Sequence, residues 1–533
     1  WLKARFSSLV IGMLRRVAPV AAAWVALWPA QPRQHDRPRP ARQARAVRCE
    51  TPPARVGQRG ARVEYVLVRQ DLVRLNRSKF KSRYGDPVKL GAGAYGSVYR
   101  YKHRETGVLR AVKILPTTVV TDRKQFELEI NALALLDHPN IIRLVEYFEE
   151  QGKFYLVFPL CQGPDLFDFI VGEAEKNGVV SERDAARICR QMIKAVHCCH
   201  LQGIIHKDIK PENFMFATAD ATSVLRMIDL GLSEFYDPAS LKLLGRPVCS
   251  GSEPYMAPEV HMQQYDESCD MWSIGAVLFT MLLGEQIFTQ EEAKRAKSLT
   301  RNRNFVYSVL RQVDQARVKS MSPEARSFMM SLLAYEPAER PKPEQALAHP
   351  FLASAECTGQ GLPDLTDPRQ RAAAKGCLER LNEFQNYPAL RQIAHRVLVL
   401  HWQPSDLRQM RDFFRAADVE GRGEVTREEL ETALKGALST RVTLPPIMSS
   451  GQKTGHISYD DFLAATLDPA LCRREPFLKA AWAFMDPDGK GKVLCDDLEA
   501  LLPRSTPAQR AAIVKEVGED GVVTWAQFLK IFA

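Results

Sequence analysis

His-Lys-Asp-Ile-Lys-Pro-Glu-Asn at residues 206–213 decides the fold, because its polar groups have the order and spacing of a phosphoryl-transfer loop. Asp208 can accept the proton of a hydroxyl group, and Lys210 can neutralise the charge that develops on a transferring phosphate. Asn213 can hold a magnesium ion beside them. The motif alone is modest evidence, so its interpretation depends on whether further groups of the same site occur in order on either side.

Groups on both sides of this loop complete such a site. Downstream, Asp229 ends a predicted strand before a glycine turn, a position suited to chelating magnesium that bridges phosphates. Upstream, Lys113 stands in a predicted strand, where its ammonium group can reach the α- and β-phosphates of a nucleotide. Glu129, on the helix predicted next, is the natural partner to hold that lysine. A solvated strand lysine is the alternative for Lys113 taken alone, and the surrounding groups disfavour it.

A glycine-rich run precedes Lys113. Residues 91–96 read Gly-Ala-Gly-Ala-Tyr-Gly, a pattern that would open a helix in a dinucleotide-binding fold. Here it continues into β-like residues, a polar turn at 105–107 and a second β-like run at 109–115. The sequence therefore predicts a strand-turn-strand flap whose glycines let the backbone lie close over phosphates.

With these parts in order, residues 84–351 resemble a protein kinase domain. Ala-Pro-Glu at 257–259 is similar to the end of an activation segment, and Arg340 stands where the family pairs an arginine with that glutamate. Asp270 matches the residue that braces the catalytic loop. The resemblance implies an α+β two-lobed kinase fold that uses ATP and Mg²⁺. It implies cofactor contacts from Leu90, Gly91, Gly93, Gly96, Val98, Ala111, Lys113 and Glu129, magnesium ligands Asn213 and Asp229, and catalytic roles for Asp208, Lys210 and Asn213.

Details of the loop refine the expected substrate and regulation. Lys210 resembles the serine/threonine class of kinases, and Asp165 and Glu212 match positions that contact a substrate arginine in related kinases. The implied substrates are proteins with Ser or Thr near basic residues. Lys207 replaces the usual arginine, which leaves a point charge where a bidentate fork would grip an activation-loop phosphate. Activation by loop phosphorylation is therefore not expected.

The C-terminal part of the chain contains an internal repeat. Apolar residues at predicted loop positions, Val425, Ile457, Val493 and Val523, are spaced by 32, 36 and 30 residues. This spacing predicts an all-α domain of four EF-hands in two pairs, with these residues bridging within each pair. Residues 457–466 resemble the second EF-hand of calcium-dependent protein kinases, a family with a kinase domain, an autoinhibitory junction and a calmodulin-like domain in one chain.

Calcium binding by these EF-hands is a separate question from their fold. An EF loop needs oxygen ligands at positions 1, 3, 5, 9 and 12. Position 5 is Arg422 in the first loop and Lys490 in the third, and a cation there opposes a divalent ion. We expect these two loops to bind Ca²⁺ weakly at best and the loops at 450–461 and 516–527 not to bind it. The remaining carboxylate ligands are Asp418, Glu420, Glu429, Asp486, Asp488 and Asp497.

The resemblance to calcium-dependent protein kinases covers residues 80–533 and implies a domain order. We expect a basic, largely disordered arm at 1–79, a kinase domain at 80–351, an autoinhibitory junction at 352–405 and a calmodulin-like domain at 406–533 with four degenerate EF-hands. An amphipathic helix in the junction can be exchanged between grooves of the kinase and of the sensor domain. Two alternatives stay open: EF-hands kept as a scaffold without a calcium switch, and a catalytically weak or dead kinase that serves as an interaction module.

Charge and cysteine content restrict the remaining classes. The net charge is +10, but residues 1–90 hold 20 Lys+Arg against 5 Asp+Glu, and the remainder holds 53 against 58. Nucleic-acid binding by the folded body is therefore not indicated. The 11 scattered cysteines suggest reduced thiols in a cytoplasmic protein. The apolar run at 17–30 is too short to span a bilayer, and the arm is a targeting segment or a flexible extension, with no sequence support for membrane contact.

Overall fold

The computed structural model describes residues 69–73, 75–76, 78–93, 96–118, 123–231, 233–237, 242–243, 250–288, 320–353, 368–402, 407–435, 455–499, 501–518 and 521–533. Most of the N-terminal arm and residues 450–454 of the second EF loop lie outside them, so the predictions made for those segments stay predictions. Within the described part of the chain, no helix combines the length and the apolarity needed to cross a bilayer.

An antiparallel sheet forms the N-terminal lobe. Its elements are α1 (Arg69–Leu72), α2 (Phe80–Arg83), β1 (Tyr84–Gly93), β2 (Gly96–His103), β3 (Leu109–Pro116), α3 (Arg123–Leu135), β4 (Glu146–Glu150) and β5 (Lys153–Pro159). The strand order is β1-β2-β3-β5-β4. Gly93 pairs with Gly96 where β1 meets β2, and the polar turn at 105–107 joins β2 to β3. The predicted strand-turn-strand flap is therefore confirmed.

Helices dominate the second lobe. In chain order its elements are α4 (Leu166–Asn177), α5 (Glu182–Leu201), β6 (Ile204–Ile205), β7 (Phe214–Phe216), β8 (Leu225–Met227), β9 (Glu234–Asp237), β10 (Lys242–Leu243), α6 (Pro258–His261), α7 (Ser268–Leu283), α8 (Pro323–Leu332), α9 (Pro343–Leu347) and α10 (Pro350–Ala353). Nearly every residue of α7 is buried, as expected for a helix that is apolar on all faces. Helix α5 begins where the Ser181 side chain accepts a hydrogen bond from the backbone N–H of Asp184. Helix α5 packs against α7 and against β6 and β8, which lie before and after the 206–213 loop.

Two long helices and the EF-hand domain complete the described chain. The elements are α11 (Pro368–Phe384), α12 (Ala389–His401), α13 (Arg408–Ala417), β11 (Glu424–Thr426), α14 (Arg427–Lys435), β12 (His456–Ser458), α15 (Tyr459–Thr466), α16 (Pro469–Cys472), α17 (Glu475–Met485), β13 (Lys492–Leu494), α18 (Pro507–Val517), β14 (Val522–Thr524) and α19 (Trp525–Lys530). Val425 pairs with Ile457, and Val493 pairs with Val523. The pairing of the loops predicted from the repeat spacing is therefore confirmed.

Helix α12 lies between the EF-hand domain and the outer face of the N-terminal lobe. One continuous hydrophobic core contains α12, the EF-hand helices and residues of α1, α2, β1, β3, β4 and β5. At the end of the helix, Arg110 donates from Nη2 to the Leu400 carbonyl oxygen at 2.9 Å. On the other side, His395 Nδ1 lies 3.0 Å from the Ala464 carbonyl oxygen. Helix α12 therefore joins the N-terminal lobe to the EF-hand domain by direct packing.

Buried histidines on and beside α12 predict a pH dependence of stability. Burial lowers the pKa of His103 and of His395 to about 4 and that of His401 well below its ordinary value. Because the unfolded chain takes up these protons near pH 6.5 and the folded chain does not, the free energy of unfolding should fall as the pH is lowered from about 6.5 towards 4. Each histidine contributes up to about 1.4 kcal/mol per pH unit in that window.

Denaturant unfolding of the wild type and of His395→Phe between pH 7 and pH 5 tests this expectation. The variant should show the shallower dependence of unfolding free energy on pH, because it has one fewer proton to take up on unfolding. Identical slopes would mean that His395 binds its proton equally well in the folded chain.

Candidate active site

Lys113 lies at the centre of the sheet and contacts two carboxylates. Strand β3 alternates its side chains, so Ala111 and Lys113 share one face. Lys113 Nζ lies 3.2 Å from Asp229 Oδ1 and 3.5 Å from Glu129 Oε1. Burial opposes the charge of Lys113, but the Asp229 and Glu129 carboxylates outweigh it and raise the pKa of the lysine. The ion pair with Glu129 expected from the sequence is present, and it joins α3 to the strand that carries Lys113.

A buried carboxylate holds the catalytic loop. Asp270 is fully buried in α7, and it accepts hydrogen bonds from the backbone N–H groups of His206 and Lys207, both at 2.9 Å. His200 Nε2 lies 2.9 Å from the same carboxylate. Burial opposes ionisation, but the His200 contact and the backbone donors hold the pKa of Asp270 below its ordinary value. The loop backbone is therefore fixed to the core of the second lobe by a satisfied charge.

Asp208 is surrounded by donors. Lys210 Nζ lies 2.8 Å from Asp208 Oδ2, Ser252 Oγ donates to Oδ1 at 2.7 Å, and Asn213 Nδ2 donates to Oδ2 at 3.0 Å. Burial opposes ionisation, but Lys210 and Ser252 outweigh it and lower the pKa of Asp208. A carboxylate with a depressed pKa is a weak base, so its geometry favours orienting a hydroxyl group over removing the proton early.

Ser252 is a site residue that the sequence interpretation missed. It links Asp208 to Lys210, because Lys210 Nζ donates to Ser252 Oγ at 2.8 Å. Gly251 precedes it with φ +133°, and a Cβ at that position would lie 2.6 Å from the Lys207 carbonyl oxygen. The Gly251-Ser252 pair was the only signal in the sequence for this residue. Ser252 contacts Asp208 and Lys210 because the segment that carries it lies close against the 206–213 loop.

Lys207 is already paired. Its Nζ lies 2.5 Å from Glu234 Oε1, 2.9 Å from Ser250 Oγ and 3.3 Å from Tyr265 OH. The Tyr265 hydroxyl also donates to Glu234 Oε2 at 2.8 Å. The sequence interpretation placed a point charge here and did not identify Glu234 as its partner. An internal carboxylate therefore stands where the family analogy would put a phosphate.

The residues expected to contact ATP lie along the first three strands. Leu90, Gly91 and Gly93 follow one another in β1, and Leu90 is 52% exposed. Val98 pairs with Lys113 across β2 and β3, and Ala111 pairs with Phe158 across β3 and β5. The tip of the flap at 94–95 lies outside the described residues. Gly96 begins β2, so seven of the eight predicted positions lie on β1, β2 and β3, and the eighth, Glu129, belongs to the Lys113 ion pair.

Asp229 and Asn213 provide donors that fit a magnesium ion. The Asp229 carboxylate and the Asn213 amide oxygen are hard oxygen ligands of the kind that Mg²⁺ prefers. Burial opposes the charge of Asp229, but Lys113 and the backbone N–H of Gly231, which donates to Oδ1 at 3.1 Å, keep its pKa below the ordinary value. Asn213 is fixed because its Nδ2 donates to the Asp208 carbonyl oxygen at 2.7 Å. The carboxylate is therefore ionised at neutral pH and available to a cation.

The run His197-Cys198-Cys199-His200 lies in the last turns of α5, and all four residues are buried. His197 Nδ1 lies 2.8 Å from the Glu420 carbonyl oxygen, whereas His200 contacts Asp270. Burial raises the pKa of both cysteine thiols. The two histidines therefore serve different contacts of the fold.

The predicted calcium ligands meet in two of the four EF loops. In the first loop, Arg422 contacts Glu420 and Glu429, and in the third loop Lys490 contacts Asp488 and Asp497. The corresponding end residues of the other loops make structural contacts. Asp461 pairs with Arg396 of α12 at 2.6 Å, and Gln527 caps α19 through Thr524.

The chain is similar to known proteins over most of its length. A family comparison matches residues 84–352 to the protein kinase domain. Among curated proteins, the chain is 28% identical over 478 residues to calcium-dependent protein kinase 5 of Plasmodium falciparum. The aligned region covers 87% of this chain and 80% of that protein. It is 29% identical over 465 residues to calcium-dependent protein kinase 34 of Arabidopsis thaliana, and the aligned region covers 84% of each protein. Among solved structures, the twitchin kinase region of C. elegans matches at 28% identity and a TM-score of 0.45, over 52% of this chain and 48% of that chain.

Proposed function

Because the chain belongs to the protein kinase family, we propose that it transfers the γ-phosphate of ATP to serine and threonine hydroxyl groups of proteins, under the control of its own C-terminal EF-hand domain. ATP-dependent serine/threonine phosphorylation is the activity that the family match and the relatives support. The proposed domain boundaries are 1–79 for the arm, 80–351 for the kinase domain, 352–405 for the junction and 406–533 for the EF-hand domain.

One observation carries this proposal: an ionised, fully hydrogen-bonded Asp208 in the same lobe interface as the Lys113–Asp229 ion pair. Lys113 would neutralise the phosphates of ATP, and Lys210 would neutralise the phosphoryl group as it leaves. Asp208 would orient the substrate hydroxyl in line with it. Asp229 and Asn213 would hold magnesium, which when bound screens the charge between phosphate oxygens.

The substrate preference proposed from the sequence rests on two acidic side chains. Asp165 caps the first turn of α4, where its side chain accepts from the backbone N–H of Asp168 at 2.8 Å. Burial raises the pKa of Glu212, and Asp165 raises it further. Glu212 Oε2 is buried without a hydrogen-bond partner among the described residues. A substrate guanidinium beside the neighbouring Asp165 and Glu212 carboxylates would favour their ionised forms, so this pair supports a preference for arginine near the phosphorylated residue.

Control by the EF-hand domain would act through α12. The helix contacts the EF-hand domain through His395 and Arg396 and contacts the N-terminal lobe through the carbonyl oxygens of Val399 and Leu400. Any change in how the EF-hand domain holds the helix would therefore reach the strand that carries Arg110 and Lys113. The relatives' names carry calcium dependence, but in this chain the first and third EF loops, which keep three carboxylates each, have a cationic residue at position 5. The eight described cysteines are free thiols, which supports the proposed intracellular location.

The proposal is tested by the initial rate of phosphate transfer from Mg-ATP to a serine peptide that contains arginine, and to the same peptide with alanine in place of the arginine. We expect transfer to both, with kcat/KM roughly five-fold higher for the arginine peptide, as for a partly exposed charge pair worth about 1 kcal/mol.

Asp229→Asn is the control, because it removes a magnesium-binding charge while keeping the shape of the side chain. Its rate should fall at least about a hundred-fold. Equal kcat/KM for the two peptides would contradict the proposed preference for arginine but not the kinase activity. No transfer by the wild type would favour the alternative of a catalytically dead interaction module.

A further inference from the structure

The third EF loop contains a lysine where a metal ligand is expected, and that lysine reaches the centre of the loop. Lys490 Nζ lies 3.0 Å from Asp488 Oδ2 and 3.0 Å from Asp497 Oδ1. These carboxylates occupy positions 3 and 12, the positions whose oxygens bind the ion in a calcium-loaded EF-hand. The ammonium group therefore bridges the carboxylates that a calcium ion would bridge.

The first EF loop repeats the same arrangement with a different cation. Arg422 Nη1 lies 3.1 Å from Glu420 Oε2, and its Nη2 lies 2.5 Å from Glu429 Oε1. Glu420 and Glu429 are again at positions 3 and 12. Because two loops of different sequence use the position 5 side chain in the same way, the arrangement is a shared feature of the domain.

The chain's own groups also hold the loop backbones. Asp418, at position 1 of the first loop, accepts from the backbone N–H groups of Arg422 at 2.8 Å and Gly423 at 3.1 Å. Asp486, at position 1 of the third loop, accepts from Lys490 at 2.8 Å and Gly491 at 2.7 Å. The short strand within each loop is paired with the strand of the neighbouring loop. In each loop, therefore, the position 1 carboxylate holds the turn, the short strand is paired, and the position 5 side chain neutralises the carboxylates at the centre.

The first loop is in addition packed onto the kinase. The Asp418 carbonyl oxygen accepts from Lys194 Nζ, and the Glu420 carbonyl oxygen lies 2.8 Å from His197 Nδ1 of the same helix, α5. Asp418 is 2% exposed, so its carboxylate is closed off from solvent. A cation that entered this loop would have to displace Arg422 and loosen the contact with α5.

We propose that Arg422 and Lys490 are resident cations that replace calcium in the first and third EF loops, so that the domain stays folded against the kinase at any calcium concentration. The consequence for kinase control rests on the proposed function, whereas the replacement of calcium by a side-chain cation depends only on the loops themselves. A tethered cation is present at a high effective concentration and removes one of the oxygen ligands that calcium needs.

The test is calcium titration of the full chain by calorimetry, with the wild type, Lys490→Asp and Lys492→Asp. Lys490→Asp removes the resident cation and supplies the missing oxygen, and we expect it to gain one site with a Kd of about 10⁻⁵–10⁻³ M. Lys492 is the matched control, because it is exposed in the same loop at position 7, where the backbone carbonyl is the ligand. Lys492→Asp makes the same charge change and should gain no site, like the wild type.

A second variant and a separate assay keep the outcomes distinct. Lys490→Asn supplies an amide oxygen without the added charge and should gain a weaker site than Lys490→Asp. Saturable binding by the wild type below about 10⁻⁵ M would overturn the inference. So would the absence of binding in both Lys490 variants while each retains the wild-type thermal transition. The phosphate-transfer rate, measured separately, tests the proposed function and does not enter this result.

Discussion

Replacing Asp208 by asparagine is expected to lower the rate of phosphate transfer about 10²–10⁴-fold, the range for loss of a positioned acid–base group. The amide keeps the shape of the side chain, but its nitrogen would face Ser252 or Lys210 and lose the attraction that now holds the carboxylate. It also cannot accept the hydroxyl proton. The nucleotide contacts proposed for Lys113 lie on another element, so the affinity for Mg-ATP should stay within about two-fold.

The measurement pairs single-turnover phosphate transfer with a direct nucleotide-binding titration. Asp220→Asn is the matched control, since Asp220 is exposed on a turn of the same lobe and its carboxylate bonds only Thr222 among the described residues. That variant should transfer phosphate at the wild-type rate. A wild-type rate in Asp208→Asn would remove Asp208 from the catalytic role and reopen the assignment of the loop.

Replacing Arg340 by methionine is expected to lower the free energy of unfolding of the kinase domain by about 3–5 kcal/mol, the range for breaking a buried ion pair. Both partners are almost fully buried, with Arg340 5% and Glu259 3% exposed. Arg340 Nη2 donates to Glu259 Oε2 at 2.9 Å, and the second nitrogen bonds the other carboxylate oxygen. The substitution leaves the Glu259 carboxylate buried without its partner. The guanidinium also bonds three backbone oxygens, from Ala334, Tyr335 and Ser268.

Denaturant unfolding followed by near-ultraviolet circular dichroism measures this loss. Arg183→Met, on the exposed face of α5, is the control and should change the free energy by less than about 0.5 kcal/mol. The double variant Arg340→Met with Glu259→Leu should recover part of the loss, because no unpaired charge remains. A loss below about 1 kcal/mol in the single variant would show that the pair adds little beyond its packing.

Several features of the site followed from local sequence because they depend on spacing within one segment. Asp208, Lys210 and Asn213 lie within six consecutive residues, so any fold that forms the loop brings them together. The period of the EF-hand repeat likewise predicted the pairing of the loop valines and Ile457, since each pair bridges equivalent positions. Arg340 and Asp270 followed from the family resemblance, and their contacts with Glu259 and the loop backbone agree with it.

Contacts between distant segments could not be read in the same way. Ser252 reaches Asp208, and Glu234 reaches Lys207, only because the chain after β8 folds back over the catalytic loop. The sequence identified Lys490 as an obstacle to calcium, but the direction of its side chain depends on the curvature of the loop around it.

The sequence by itself determined the kinase chemistry and the pairing of the EF-hands, because each is encoded in motifs or periods that act over short stretches of chain. The tertiary structure alone decided that α12 is packed between the N-terminal lobe and the EF-hand domain, and that the first EF loop lies on α5. An amphipathic helix and a polar loop each fit several surfaces. The choice is made by the total apolar area buried and the hydrogen bonds satisfied across the whole chain, which no single segment carries.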